Sequence, residues 1–156
     1  MHSDIECAIR SDANVLIAGG DAAARAALAK LIHRKSRRRR SSLVVLGGTD
    51  PAGRSEVEPG GNTLVLKKPG RTLFIEELAT LDGPTQDELL QMLDTRAGHW
   101  KDGAIARKTR IITGTGHDVL ERLASRLFNT RLFYRLNVIH ITLADPNRLA
   151  DPSSVH

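Results

Sequence analysis

Short apolar runs alternate with segments of helical spacing along most of the chain. Val15, Leu16, Ile17 and Ala18 form an uninterrupted apolar run that ends at Gly19, the pattern of a strand buried on both faces. Residues 22–33 follow at once and are rich in Ala and Leu, the strongest helix formers, with Asp21 placed as an N-cap. Leu43 to Leu46 repeats the strand pattern and stops at Gly47-Gly48. Residues 47–62 are Gly, Pro and polar and read as a loop, and 64–66 is too short to assign. Thr72 to Ile75 is a third strand, running directly into Glu76-Glu77. Residues 84–93 read as a helix with Pro84 in its first turn and Leu89, Leu90 and Leu93 on one face. Residues 110–113 form a fourth strand, 119–128 and 131–136 two amphipathic helices, and 138–143 a half-exposed edge strand. Residues 5–9 close a short helix ahead of the first strand.

Strands separated by helices predict an α/β domain: a mainly parallel sheet covered on both faces, with right-handed crossovers. Ligands on such sheets sit at the carboxyl ends of the strands, where Gly19 and the Glu76-Glu77 pair fall. With 156 residues and 40% hydrophobic content, the chain can bury one core, and aromatics at 3% make that core aliphatic. Residues 1–145 are expected to form the core, with 146–156 as a flexible tail. No apolar run is long enough to span a bilayer and the N-terminus lacks a signal-peptide pattern, so no membrane contact and a cytoplasmic location are expected. The single Cys7 has no metal-type spacing around it, and the six His residues are dispersed.

The formal charge is +5, and a large part of it lies between Lys30 and Arg40. Lys30, Arg34, Lys35, Arg37, Arg38, Arg39 and Arg40 share that stretch with no carboxylate. Two readings stand: a solvated helix end whose cations suit the dipole, or a nucleic-acid contact through Arg37, Arg38, Arg39 and Arg40.

The segment VLIAGGDAAARA carries the most informative chemistry. A phosphate-binding loop needs G-x-x-x-x-G-K-[ST] between strand and helix: amides around the phosphates, Lys on their oxygens, a hydroxyl on magnesium. The stretch Gly19, Gly20, Asp21, Ala22, Ala23, Ala24, Arg25, Ala26 has the first glycine, but Ala24, Arg25 and Ala26 stand in the places of the second glycine, the lysine and the hydroxyl. It is either a relaxed nucleotide site or a strand–turn–helix kept for packing.

Six stretches in order resemble the central AAA+ ATPase domain of bacterial sigma-54-dependent transcriptional activators. IECAIRSDANVLIAG is similar to the approach to and strand of Walker A, and LAKLIHRKS to the helix after it. TLFIEEL resembles the Walker B strand, and the run from Gln86 to Leu90 the helix behind it. RIITGTGHDVL resembles the sensor I strand, and LFYRLNVIHITL the segment after the arginine-finger region. The resemblance extends over about residues 5 to 145. It implies a three-layer P-loop NTPase fold, ATP and magnesium as cofactors, and sigma-54 RNA polymerase or intact AAA+ relatives as partners. By the same resemblance Glu77 is the water-activating carboxylate, Glu76 the magnesium carboxylate and Arg135 the second finger arginine, the first falling at Asn129. The sensor I polar residue falls at Gly116, and residues 47–71 contain no GAFTGA string. The expectation is a degenerate, truncated domain: a regulatory or protein-interaction module in transcription with weak ATPase activity or none, and without efficient hydrolysis. A functional ATP-binding activator domain and a basic nucleic-acid-binding module are the alternatives.

Overall fold

The computed structural model describes residues 2–46, 72–94, 109–116, 119–126 and 128–144. The expected loop at 47–62, the unassigned 64–66, the 47–71 interval, His99, Trp100, His117 and the tail 146–156 lie outside them. In chain order the elements are α1 (His2–Arg10), β1 (Val15–Gly19), α2 (Ala22–Lys35), β2 (Leu43–Leu46) and β3 (Thr72–Ile75). A 3₁₀ turn (Leu78–Thr80) follows, then α3 (Gly83–Asp94), β4 (Arg110–Thr115), α4 (Val119–Ala124), α5 (Thr130–Leu136) and β5 (Ile139–Leu143).

The five strands form one sheet in the order β2-β3-β4-β1-β5, with every pair parallel. Ile17 of β1 sits between Gly114 of β4 and Ile141 of β5, which sets the register at the centre of the sheet. Period-two alternation divides the strand residues between two cores. Leu16, Leu73, Ile75 and Ile111 face Leu89, Leu93, Phe128, Leu132 and Leu136 from α3, α5 and the turn between α4 and α5. Val15, Ile17, Phe74, Ile112 and Ile141 face Ala8, Leu28, Ala29 and Ile32 from α1 and α2. Helices on both faces make this the three-layer α/β sandwich expected from the sequence. β5, expected as an edge strand, is one: its burial alternates and it pairs with β1 alone among the described strands.

Most element ends shift from the sequence pattern by one to three residues, and two features depart further. α4 stops at Ala124 rather than running to 128, because Arg126 takes φ 62°, a left-handed turn that ends the helix. The 3₁₀ turn after β3 has no periodic signature at all; Glu77 creates it by capping, its Oε1 accepting the Ala79 amide at 3.2 Å.

Candidate functional site

All strands point the same way, so Gly19, Glu76, Glu77 and Gly116 gather at one end of the sheet. β1 ends at Gly19 and α2 begins at Ala22, with only Gly20 and Asp21 between them. Asp21 caps the helix as expected, its Oδ1 accepting the Ala24 amide at 2.7 Å. Ala22, Ala23 and Ala24, which in a phosphate-binding loop would help wrap a phosphate, are instead the first turn of α2. The connection works because Gly19 and Gly20 adopt φ 80° and 61° in succession. A Cβ at Gly20 would also stand 3.1 Å from Leu143 Cβ, a tight contact added to the strain of a positive φ.

Arg25 projects from that first turn back across the connection. Its Nη1 donates to the carbonyls of both Gly19 and Gly20 at 2.9 Å, and its Nη2 lies 3.4 Å from Glu77 Oε2. The side chain is only 8% exposed, so the guanidinium fills the mouth formed by β1, β3 and β4 rather than reaching into solvent. Its Nε is buried with no hydrogen-bond partner among the described residues. The β4 backbone accommodates it at Gly114, where an added Cβ would stand 2.7 Å from the Glu76 carbonyl and 3.4 Å from Arg25 Cδ and Nε.

Glu77 is held from four directions. Oε1 accepts from the Ala79 amide at 3.2 Å and the Thr115 hydroxyl at 2.9 Å, and Oε2 accepts from the Gly116 amide at 2.9 Å and from Arg25. The site therefore brings Gly19, Gly20, Arg25, Glu77 and Gly116 into one network. Glu76 is half-buried next to it: its amide donates to Leu46 O at 3.3 Å, and its carboxylate has no hydrogen-bond partner among the described residues. Ala26 is partly buried against the α1–α2 face. Among the described residues, no group of three or more His, Cys, Asp or Glu is arranged to hold a metal ion.

Asn129 and Arg135 stand at the two ends of α5. Asn129 caps α5, Oδ1 accepting the Leu132 amide at 3.2 Å, while its own amide donates to Gln86 Oε1 at 2.8 Å. Arg135 is exposed in the last turn of α5, and its carbonyl accepts from Asn14 Nδ2 at 3.3 Å, beside the amino end of β1. Arg37, Arg39 and Arg40 are exposed and Arg38 half-buried in the turn after α2, also near the amino ends of the strands. That turn precedes β2, and Arg38 Nε reaches Asp12 Oδ1 at 3.0 Å.

Sequence reasoning did not single out three residues that shape these regions. Thr115 and Gly114 line the Arg25–Glu77 network from β4; their positions after an apolar strand end carry no signal until β3 and β4 are paired. Arg110, expected only as the first residue of the fourth strand, is fully buried. Its Nε donates to Ala13 O at 3.1 Å, its Nη2 to Ala8 O, and its Nη1 has no hydrogen-bond partner among the described residues. Burial pushes this guanidinium below its ordinary pKa, and the nearby Asp12 carboxylate opposes that shift.

Comparison with known proteins places this architecture. The profile of the sigma-54 interaction domain matches residues 58–142. The DNA-binding transcriptional activator HyfR of Escherichia coli K12 is 30% identical over 155 residues, covering 89% of this chain and 23% of HyfR. NtrX from Brucella abortus, in a structure with ATP, superposes with a TM-score of 0.69 at 22% identity, over 92% of this chain and 34% of that one. The P-loop NTPase domain of a sigma-54 transport activator from Escherichia coli gives 0.64 at 18% identity, covering 91% of this chain and 98% of that domain. The chain thus spans about a quarter of its curated relative HyfR, and no helix among the described residues is long and apolar enough to cross a membrane. Matched by the family profile over more than half its length and folded as the P-loop sandwich of such regulators, this chain belongs to the sigma-54 interaction domain family.

Proposed function

We propose that this chain is a transcription-regulating domain of the sigma-54 activator type whose nucleotide site is closed by its own side chains, and that it acts through protein contacts rather than ATP hydrolysis. One observation carries the reading: Arg25, in the place of the phosphate-binding lysine, donates to the Gly19 and Gly20 carbonyls and leans on Glu77. A guanidinium satisfied by carbonyls and a carboxylate inside the protein must break those bonds before it can meet a phosphate, and each lost buried bond costs about 1–3 kcal/mol. Asp21 places a carboxylate at the helix end where a phosphate would sit, so like charges would meet. Glu77, with both oxygens committed, is not oriented toward an attacking water. The residues present do not fit a magnesium–triphosphate group: Ala26 has no hydroxyl for the metal, and Glu76 alone remains as a carboxylate ligand.

ATP is bound in the Brucella NtrX structure; for this chain the reading is weak binding or none. The partners it would meet are sigma-54 RNA polymerase or intact AAA+ relatives. Calorimetric titration with ATP and magnesium should give no heat of binding in the micromolar range. Added in increasing amounts to an intact sigma-54-dependent activator, the chain should lower that activator's ATPase rate. Hydrolysis by the chain alone, lost in Glu77→Gln, would overturn the proposal.

A further inference from the structure

The arginine turn at the opposite end of the sheet has no part in the site described above, and its construction points to a second surface. Ser36 to Ser41 form a turn stitched by its own hydrogen bonds. Ser36 Oγ donates to His33 O at 2.8 Å and accepts the Arg38 amide at 3.2 Å, and the Ser41 amide and hydroxyl donate to Arg38 O at 2.9 and 2.7 Å. His33 ties the turn to the sheet. Its Nε2 donates to Ser41 O at 2.9 Å, so Nε2 carries the hydrogen and, in the neutral ring, Nδ1 accepts from the Thr72 hydroxyl at 3.0 Å. The arginines therefore stand on a fixed backbone and not on a loose tail.

Their charge is poorly compensated. Arg37, Arg38 and Arg110 all act on the Asp12 carboxylate, which lies 3.0 Å from Arg38 Nε. Arg34, Lys35, Arg37, Arg39 and Arg40 are exposed and form no ion pair among the described residues. Arg110 adds a buried cation whose Nη1 has no hydrogen-bond partner among the described residues. The α2 dipole offsets only a fraction of this charge. Cations kept this close repel one another unless an anion with several charges lies across them.

We propose that this turn, with Arg34, Lys35, Arg37, Arg39 and Arg40 as its contacts, binds the phosphodiester backbone of nucleic acid without reading sequence. The chemistry separates this from other polyanions. An acidic protein partner needs apolar anchors at the centre of its interface, and an anionic membrane needs an apolar face to insert. Among the described residues the exposed large apolar side chains, Tyr134 and Val138, flank β5, whereas the arginine turn leads into β2 at the other edge of the sheet. Guanidinium groups on a rigid turn suit phosphates, which they meet with paired N–H donors. The inference is independent of whether the Arg25 site holds nucleotide.

Fluorescence anisotropy of the full chain with a labelled random-sequence duplex, and in parallel an RNA of the same length, tests it. Binding should weaken steeply from 50 to 200 mM salt. Arg37→Ala/Arg39→Ala/Arg40→Ala should lose at least tenfold in affinity and flatten the log–log salt slope by about 2–3. The corresponding triple lysine variant should keep most of the binding, which separates charge from fold. Duplex and RNA of equal affinity would mean that the backbone alone is read, as proposed. No binding at 50 mM salt, an alanine triple that binds like the parent, or stronger binding to phosphatidylserine vesicles than to either nucleic acid would overturn it.

Discussion

At the residue scale, Arg25 ties the connection between β1 and α2 to the end of β3. Its two strong bonds are to carbonyls of its own connection, and its contact with Glu77 is a longer ion pair at 3.4 Å. Arg25→Ala leaves two glycine carbonyls and part of a carboxylate without partners, and should lower the unfolding free energy by about 2–4 kcal/mol in urea melts. Arg25→Lys restores a charge but not the fork, and should recover less than half of that loss. Two carboxylates contribute stability that acid removes. Asp12 is held below its usual pKa by its hydrogen bond to Arg38, and Asp82 by the Thr85 hydroxyl and amide. A folded pKa below the unfolded one means that the unfolded chain binds more protons in between. Their stabilisation is thus complete above the unfolded carboxylate pKa and lost as pH falls through the folded values. Thermal melts should show the midpoint dropping below about pH 4. Asp12→Asn/Asp82→Asn should fall less steeply over the same range.

At the element scale, two contacts fix how neighbouring segments meet. Asn129 caps α5 while its amide donates to the buried Gln86 side chain of α3, which in turn donates to Leu81 O at 2.9 Å. Asn129→Ala removes the cap alone and should cost about 1 kcal/mol, with Asn129→Asp close to the parent, as read in guanidinium denaturation. Gly114 lets β4 pass under the Glu76 carbonyl and the Arg25 chain. Gly114→Ala forces a Cβ into a 2.7 Å contact with backbone, and a destabilisation of about 1–3 kcal/mol is expected by the same assay.

At the scale of the whole molecule, the sheet separates two chemistries. Asp21, Glu76 and Glu77 lie at the carboxyl ends of the strands, and the arginine turn with Arg110 lies at their amino ends. Arg110 also binds the chain together across long sequence distances, joining β4 to the Ala8 carbonyl of α1 and the Ala13 carbonyl before β1. Arg110→Leu removes both tethers. Hydrogen exchange should then show α1 amides losing at least about tenfold protection while those of β1 and β4 keep theirs. Equal loss throughout would mean that Arg110 supports the fold as a whole and not the docking of α1.

Most of the fold was legible because its signals are local. Apolar runs ending in glycine gave β1 and β2, Thr72 to Ile75 matches β3 residue for residue, and Asp21 announced α2. The left-handed Arg126 and the Glu77-capped turn were not legible, since each depends on what packs around it. The same division holds for the site. The amino-acid sequence by itself determined which groups stand at the strand ends: an arginine for a lysine, alanines for a glycine and a hydroxyl, a pair of glutamates. Only the tertiary structure decided that Arg25 folds back on Gly19 and Gly20, that Glu77 is bound on both oxygens, and that Arg110 is buried. The Arg25 fold-back spans only five and six positions, but the bonds of Glu77 to Arg25, Thr115 and Gly116 and those of Arg110 join residues 38 to 102 positions apart. Such bonds form only when a parallel sheet brings distant backbone groups together, and no periodicity along the chain encodes their geometry.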